Sequence, residues 1–362
     1  MFYICKEMKR VIFNPEHDLC LADGSGSFIP PAAIVEFARK CRWVERFMGD
    51  GELHGRRPAC DDAGEVAEEC KGVVTSFVPW GWNRCLRERL LKEGVPAELM
   101  PDDEQLDFIR ESSRRELVLK LLEYLHSEGD CADMQMIPAG YRIAARSMEE
   151  IEAFLRERVR VVLKAPLSGS GKGVRFVTGE LMETDRGWCR RTLQRQGTVI
   201  VEQRMEIIKE FAMLFEVGGV GHPGGGQVKF RGYSLFYASN GAYKGNLLAS
   251  NEYIENELGK YVPVGELRRV RSLVERFLQE KLQGKYAGFV GVDQFVAAQT
   301  GDGNQEERLS GRKYLWNPAM ELNLRMTMGL VARNIYDFHR DEFQLGEGTH
   351  CFEPERGVFP SL

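Results

Sequence analysis

The segment KYLWNPAMELNLR, residues 313–325, sets Glu321, Asn323 and Arg325 at alternate positions of an otherwise apolar run. In a strand, alternate side chains share one face. These three polar groups would therefore point one way while Leu322 and Leu324 point the other. The run FVGVDQFVA, residues 289–297, adds a related demand, because Asp293 stands inside an apolar strand. An unpaired carboxylate is costly to bury there. A hairpin joining the two runs, through the turn signal TGDGNQ, could bring Asp293 opposite Glu321 and Asn323. Two carboxylates and an amide oxygen make a hard-oxygen set suited to Mg²⁺, with phosphate oxygens and water completing an octahedron. The plainer reading is a group of satisfied polar residues near a strand end. Arg325 continues the alternation, as a surface arginine or as a guanidinium that meets a carboxylate or a developing oxyanion.

A second constraint lies upstream. VRVVLKAPL, residues 159–167, is rich in β-branched residues and reads as a strand. SGSGKGV follows at 168–174, where small residues let backbone N–H groups approach an anion and lysine supplies charge. The loop is not a Walker A sequence, GxxxxGK[ST]: Pro166 stands at the first glycine position and Gly173 at the last. On its own it is equally well a structural turn.

The 362 residues are 43% hydrophobic and 28% charged, which is ordinary globular composition and enough chain for two or three folding units. The net charge of −5 lacks the basic excess of a dedicated nucleic-acid binder. The nine cysteines show no CxxC or CxxxxC spacing, which argues against a zinc knuckle and for free thiols in a reducing compartment. The N-terminal MFYICKEMKRVIF lacks a signal-peptide layout, and no apolar run approaches the length that spans a bilayer. The expectation is a cytoplasmic enzyme.

Strands at 10–13 and 72–78, helical periodicity at 31–48, and the amphipathic RCLRERLLKEGV stopping near Gly94 suggest a small α/β domain over 1–111. A helix that starts at the serines of SSRRELVLKLLEYLHSEG and ends before Gly129, another at 148–158, strands at 159–167 and 198–205, a glycine-rich stretch at 218–226 and a helix at 266–282 belong to the next unit, 112–340. Within it, 112–200 and 201–340 are expected to form two lobes, and 341–362 reads as an irregular tail.

Taken in this order, the signals resemble the ATP-grasp superfamily over roughly 112–340, with 1–111 resembling the α/β domain that precedes it. The resemblance implies α+β lobes clasping ATP. It also implies an ATP- and Mg²⁺-dependent ligase that joins a carboxylate to an amine through an acyl-phosphate. A small-molecule kinase on the same scaffold, or a non-catalytic nucleotide-binding protein, is the alternative. By the resemblance, Lys164 in VVLKAPL contacts ATP phosphates and the adenine side, and Ser168, Gly169, Ser170, Gly171, Lys172 and Gly173 form the phosphate loop. Glu202, with backbone near Gln203 to Met205, holds adenine. Glu210 holds the ribose, with Glu206 as a second choice. Asp293, Glu321 and Asn323 hold the metal, in the ExNxR form Glu-Leu-Asn-Leu-Arg. Arg114, beside Arg115, reaches the phosphates, and Arg325 or Arg231 meets the oxyanion. Two departures from the family pattern bear on the geometry. Pro318 interrupts the strand before Glu321 and belongs at an edge or bulge, so the register could shift. Gly291 stands where some peptide-forming members have an arginine.

Substrate groups are less sharply marked. Asn14, Glu16, His17 and Asp18 in NPEHD follow the first strand, as substrate contacts or as turn and cap chemistry. Trp80 and Trp82 in PWGWN floor a pocket or pack between domains. Lys229, Arg231 and Lys244 are candidates for an anionic substrate, while His222 reads as an exposed loop residue. The partners expected are small-molecule carboxylate and amine substrates and a second copy in a homodimer, with neither nucleic acid nor membrane.

Overall fold

The strand-forming runs collect into three sheets in a computed structural model that describes residues 8–49, 74–128, 136–169, 173–218, 226–239, 242–298 and 314–361. β1 (Met8–Ile12) and β2 (Val74–Pro79) pair in parallel. β3 (Arg142–Ala145), β4 (Arg160–Lys164), β5 (Val174–Thr178) and β6 (Val199–Gln203) form an antiparallel sheet in the order β3-β6-β4-β5. β7 (Glu206–Val217), β8 (Val228–Ser239), β9 (Ala242–Leu248), β10 (Gly288–Ala298), β11 (Tyr314–Asn323), β12 (His350–Glu353) and β13 (Gly357–Pro360) form the large sheet, in the order β11-β10-β7-β8-β9-β12-β13. The helices, in chain order, are α1 (His17–Asp23), α2 (Ala32–Lys40), α3 (Arg84–Lys92), α4 (Asp103–Ser112), α5 (Glu116–Ser127), α6 (Met148–Arg156), α7 (Glu183–Gln196), α8 (Asn251–Leu258), α9 (Val264–Leu282) and α10 (Met328–Phe338). The class is mixed α/β, as expected, with antiparallel pairing in the two larger sheets.

Each sheet face has its own reason to be covered. On β7, Phe211, Met213 and Phe215 point to one side, where they meet Leu121 and Leu125 of α5 and Leu267, Val274 and Phe277 of α9. The apolar residues of α9 recur at helical spacing, so one stripe of the helix seals that face. The alternate residues Ala212 and Leu214 point the other way, onto Phe13, Phe47, Trp80 and α10. The small sheet packs separately on α6 and α7 through Ile151, Phe154, Leu163, Cys189 and Val201. Helix starts carry local signals: Asp102 and Gln105 form a capping box on α4, and Ser147 caps α6.

Several sequence expectations shift here. The helical periodicity at 31–48 divides into α2 and a 3₁₀ turn, Arg42–Phe47. Ser112 ends α4 instead of starting the next helix, and α5 packs with the large sheet, so the core does not divide at 111/112. The tail beyond 340 is not irregular, because β12 pairs with β9 and extends the large sheet. Such short strands around Pro354 carry too little alternation to be read locally. The turn at 300–305, His222, Cys5, Cys60, Cys70 and Cys131 lie outside the described residues. Cys20, Cys41, Cys85, Cys189 and Cys351 are free. Among the described residues, no helix is long and apolar enough to cross a membrane.

The predicted disturbance at Pro318 is present, and it is contained. β11 is an edge strand, and its register against β10 shifts between the Asp293↔Glu321 and Phe295↔Asn317 pairs. A bulge over 318–320 takes up the extra residues, which is how a proline is tolerated in a ladder. The carbonyls freed by the bulge need donors. Arg142, on β3 of the other sheet, donates from Nη1 to Ala319 O (3.1 Å) and Met320 O (3.3 Å). Its Nη2 lies 3.1 Å from Glu202 Oε1, an ion pair whose geometry falls short of a hydrogen bond. Both side chains are almost fully enclosed, at 2% and 3% exposure. Breaking such a pair from one side leaves a buried charge poorly compensated. Arg142→Ala is therefore expected to destabilise the chain by about 3–5 kcal/mol, read by urea denaturation. A loss below about 1 kcal/mol would show that Arg142 does not tie the two sheets together.

Candidate functional site

The register of β10 and β11 places Asp293 directly across from Glu321, and Gly291 across from Asn323. The two carboxylates are thus held together by a regular ladder on one side, through Val292 and Leu322, with the bulge on the other. Asn323 Nδ2 donates to Asp293 Oδ2 at 3.0 Å. Asn323 Oδ1 is turned away and accepts from Arg325 Nη2 at 3.0 Å. Glu321 accepts from Arg115 Nη2 at 2.7 Å. Asp293 has no ion pair among the described residues. Burial, and then the charge of Glu321, push its carboxyl up to about 7, against the opposing influence of Arg325. Among the described residues, no group of three or more His, Cys, Asp or Glu side chains could hold a metal. A cation between Asp293 and Glu321 would need Asn323 as its third protein oxygen, which requires the amide to turn over. The donor set otherwise fits a hard cation: two carboxylates side by side, one of them raised by burial and by its neighbour's charge.

The small sheet supplies a second charged cluster. In the strand order β3-β6-β4, Glu202 is paired with Arg142 on one side. On the other side, Lys164 lies diagonally across from it, with Nζ 2.8 Å from Glu202 Oε2. Burial disfavours the ionised form of Glu202, but Arg142 and Lys164 outweigh it and hold the carboxyl below its ordinary value. Both oxygens of Glu202 are directed at cations, Oε1 at Arg142 and Oε2 at Lys164, which places Glu202 to organise Lys164. Gln203 ends β6 and Glu206 begins β7, so Gln203 and Met205 flank or occupy the short connection between the two sheets. Glu210, on β7 opposite Phe295, is raised by burial, with Lys164 acting against the shift. Its charge also contributes to raising Asp293, which puts Lys164, Glu210 and Asp293 in one electrostatic neighbourhood.

The glycine loop leaves β4 at Lys164 and returns at Gly173, where Ala165 N donates to Gly173 O at 2.8 Å. A Cβ on Gly173 would lie 2.2 Å from Ser168 Cβ, so only glycine closes the loop this tightly. Gly169 lies against Asp18 and Leu19 of α1. Ser170, Gly171 and Lys172 lie outside the described residues. Ser168 Oγ accepts from Arg115 Nη1 at 3.0 Å. Arg115 therefore joins the loop to Glu321, and both line a cavity with His17, Asp18, Ser113, Asn323 and Arg325.

Two expectations need correcting. Arg114 faces away: its Nη2 donates to Glu116 Oε1 and Gln196 O, both at 2.7 Å. Arg115, one residue on, is the buried arginine at the cavity. Neighbouring residues at a helix start point about 100° apart, so pattern alone could not choose between them. Arg231 is ion-paired with Glu216 at 2.6 Å, four positions along β7 from Ala212, the residue across from Asp293, and does not line the cavity. Sequence reasoning missed Arg142 altogether. Its only local sign is a charge at the entry to a short apolar strand. Arg325 is at the cavity, with Asp18 gripping it through two bonds of 2.8 and 2.9 Å.

No protein-family model matches the chain, and no curated protein matches it. Solved structures similar to it include N5-carboxyaminoimidazole synthetase from Staphylococcus aureus complexed with ADP, at 10% identity and a TM-score of 0.44, over 98% of this chain and 77% of that one. A second is the biotin carboxylase–β,γ-ATP complex from Campylobacter jejuni, at 12% identity and a TM-score of 0.47; 72% of this chain matches, spanning about half (51%) of that one. A third is N5-carboxyaminoimidazole ribonucleotide synthetase from Thermus thermophilus, at 15% identity and a TM-score of 0.42, over 94% and 79% of the two chains.

Proposed function

We propose that this chain is an ATP- and Mg²⁺-dependent enzyme of the ATP-grasp type, a ligase that activates a carboxylate for attack by an amine. The observation that carries the reading is the apposition of Asp293 and Glu321 at one end of the large sheet, with Lys164 and Arg115 nearby. Paired carboxylates that share one arginine, Arg115 on Glu321, close to cations that could meet phosphate oxygens, suit a metal–nucleotide tail. A bound Mg²⁺ would neutralise charge between the acidic pair and the phosphates.

The protein's own residues would do the rest by position and charge. Lys164, steadied by Glu202, and Arg115, steadied by Glu321 and Ser168, offer fixed positive charge at the cleft. The backbone of Ser168, Gly169 and Gly173 offers N–H groups without side-chain bulk, in keeping with a phosphate loop. Glu210 is proposed for the ribose, and Gln203 and Met205 for adenine. Asp293, Glu321 and Asn323 are proposed as the cation ligands. Arg325 is proposed to face the charge that develops as the carboxylate is phosphorylated. Phosphoryl transfer of this kind depends mainly on alignment and charge neutralisation.

The reading is tested by measuring phosphate release from ATP with Mg²⁺ and mixed small carboxylates and amines, with hydroxylamine as a trap. A hydroxamate identifies an acyl-phosphate, whereas a phosphate ester identifies transfer to a hydroxyl. Asp293→Asn is expected to abolish phosphate release while leaving the circular dichroism unchanged. Undiminished release in that variant would refute the metal assignment.

The raised Asp293 carboxyl also sets a pH dependence. The folded chain holds this proton more tightly than the unfolded chain, whose carboxyl has its ordinary value of 3.8. The group's contribution to stability is complete below about pH 4 and is lost as pH rises towards about 7. His17 runs the other way: burial lowers its ring to about 4, and its contribution is present above 6.5 and lost as pH falls. In metal-free solution, the difference in melting temperature between the wild type and Asp293→Asn should therefore widen from pH 4 to pH 7. Mn²⁺ affinity of the wild type should rise over the same interval, because the cation needs the deprotonated carboxylate. A pH-independent difference and a flat Mn²⁺ affinity would exclude the raised carboxyl.

A further inference from the structure

The two polar motifs of the N-terminal segment find their partners around a single side chain. In NPEHD, Asn14 Nδ2 donates to Gly81 O at 2.9 Å, and Gly81 N donates back to Asn14 Oδ1 at 3.4 Å. A Cβ at Gly81 would stand 2.6 Å from the His17 ring, so PWGWN can close on NPEHD only with glycine there. Asn83 Oδ1 caps α3 by accepting from Leu86 N at 2.9 Å. That bond turns Nδ2 towards His17 Nδ1, 3.1 Å away, which makes the ring nitrogen an acceptor and keeps the ring neutral. Trp80 O accepts from Met326 N at 2.7 Å, and the Arg325 guanidinium carbon lies 5.9 Å from the Trp80 ring centroid. Asp18, next to His17, closes the arrangement with its two bonds to Arg325, across 307 residues of sequence.

The consequence lies in what this leaves Arg325 to offer. A guanidinium has five N–H donors. Nε and one Nη2 hydrogen go to Asp18, the other Nη2 hydrogen goes to Asn323 Oδ1, and one Nη1 hydrogen goes to Met326 O. A single Nη1 hydrogen is left without a protein acceptor among the described residues. Arg325 so held cannot also grip a carboxylate through two parallel bonds. It presents one N–H and a charge fixed in place.

We propose that Asp18 is a positioning residue: as the last residue of NPEHD, which closes against PWGWN, it fixes the Arg325 guanidinium and, through Arg325, the amide of Asn323 against Asp293. The N-terminal segment thereby sets the geometry of groups carried on β11 and just beyond it, on the opposite wall of the cavity that His17 and Asp18 also line. The kinetic consequence rests on the ligase reading above, whereas the structural coupling does not.

The test compares the wild type with Asp18→Asn, Arg325→Gln and the double variant in ATP-dependent phosphate release, binding of a non-hydrolysable ATP analogue, and thermal melting. Asp18→Asn should lower kcat by on the order of 100-fold while the ATP KM and the analogue Kd stay within about twofold of wild type. A general loss of structure would move those constants as well. The double variant should be no slower than Arg325→Gln, because Asp18 acts through that arginine. A kcat for Asp18→Asn within about threefold of wild type, a weakened Kd, or losses that add in the double variant would overturn the proposal. If the wild type turns over no ATP with any acid and amine, the ligase reading falls, and the melting temperatures decide the positioning role. Losses that do not add support the coupling, and additive losses refute it.

Discussion

Two carboxylates on neighbouring strands, directly opposite one another, repel at a distance set by the backbone, and the fold has to answer that repulsion. In this chain the answer is uneven. Glu321 receives Arg115, while Asp293, among the described residues, receives an amide N–H and no cation, and its carboxyl is raised to about 7. Charge deficits of this kind gather at sites that bind something, since a purely structural pair would be selected to be complementary or apolar. The surrounding side chains form a network that ends on this pair: Asp18 holds Arg325, Arg325 holds Asn323, and Asn323 reaches Asp293.

The bulge in β11 shows how the backbone serves the same arrangement. A regular ladder from Phe295 to Gly291 would carry the pairing without interruption and would leave Pro318 breaking it from within. The extra residues at 318–320 take the proline out of register and free two carbonyls, and those carbonyls draw Arg142 across from the small sheet. Arg142 in turn sits against Glu202, which holds Lys164. One irregularity therefore ties the acidic end of the large sheet to the basic face of the small one. Hydrogen-bond demand at the bulge and charge demand at Glu202 are met by the same guanidinium.

Electrostatics and packing divide the work between the sheet faces. β7 gives Phe211, Met213 and Phe215 to one core and Ala212 and Leu214 to the other, so it is buried on both sides over residues 211–215. Glu210 lies just before this apolar stretch, Asp293 stands on the adjacent β10 and Glu321 on β11 beyond it. A stiff, apolar support under a short row of carboxylates keeps them from relaxing apart, which is what holds a charged site in a usable geometry.

Sequence alone determined much of this. The period-two alternation of Glu321 and Asn323, and the acid inside FVGVDQFVA, fix which face those groups share, because a strand has only two faces. The strand running into the glycine loop and the amphipathic α9 were legible for the same reason: they are local patterns. The warning at Pro318 was legible too, since the missing N–H is a property of the residue. The tertiary structure decided what depends on distance along the chain. It chose Arg115 over Arg114, added β12 and β13 to the sheet, brought Arg142 to the bulge, and joined Asp18 to Arg325 across 307 residues. A side chain's direction around a helix, and its partner in a remote segment, follow from how elements dock, and no local pattern carries that information.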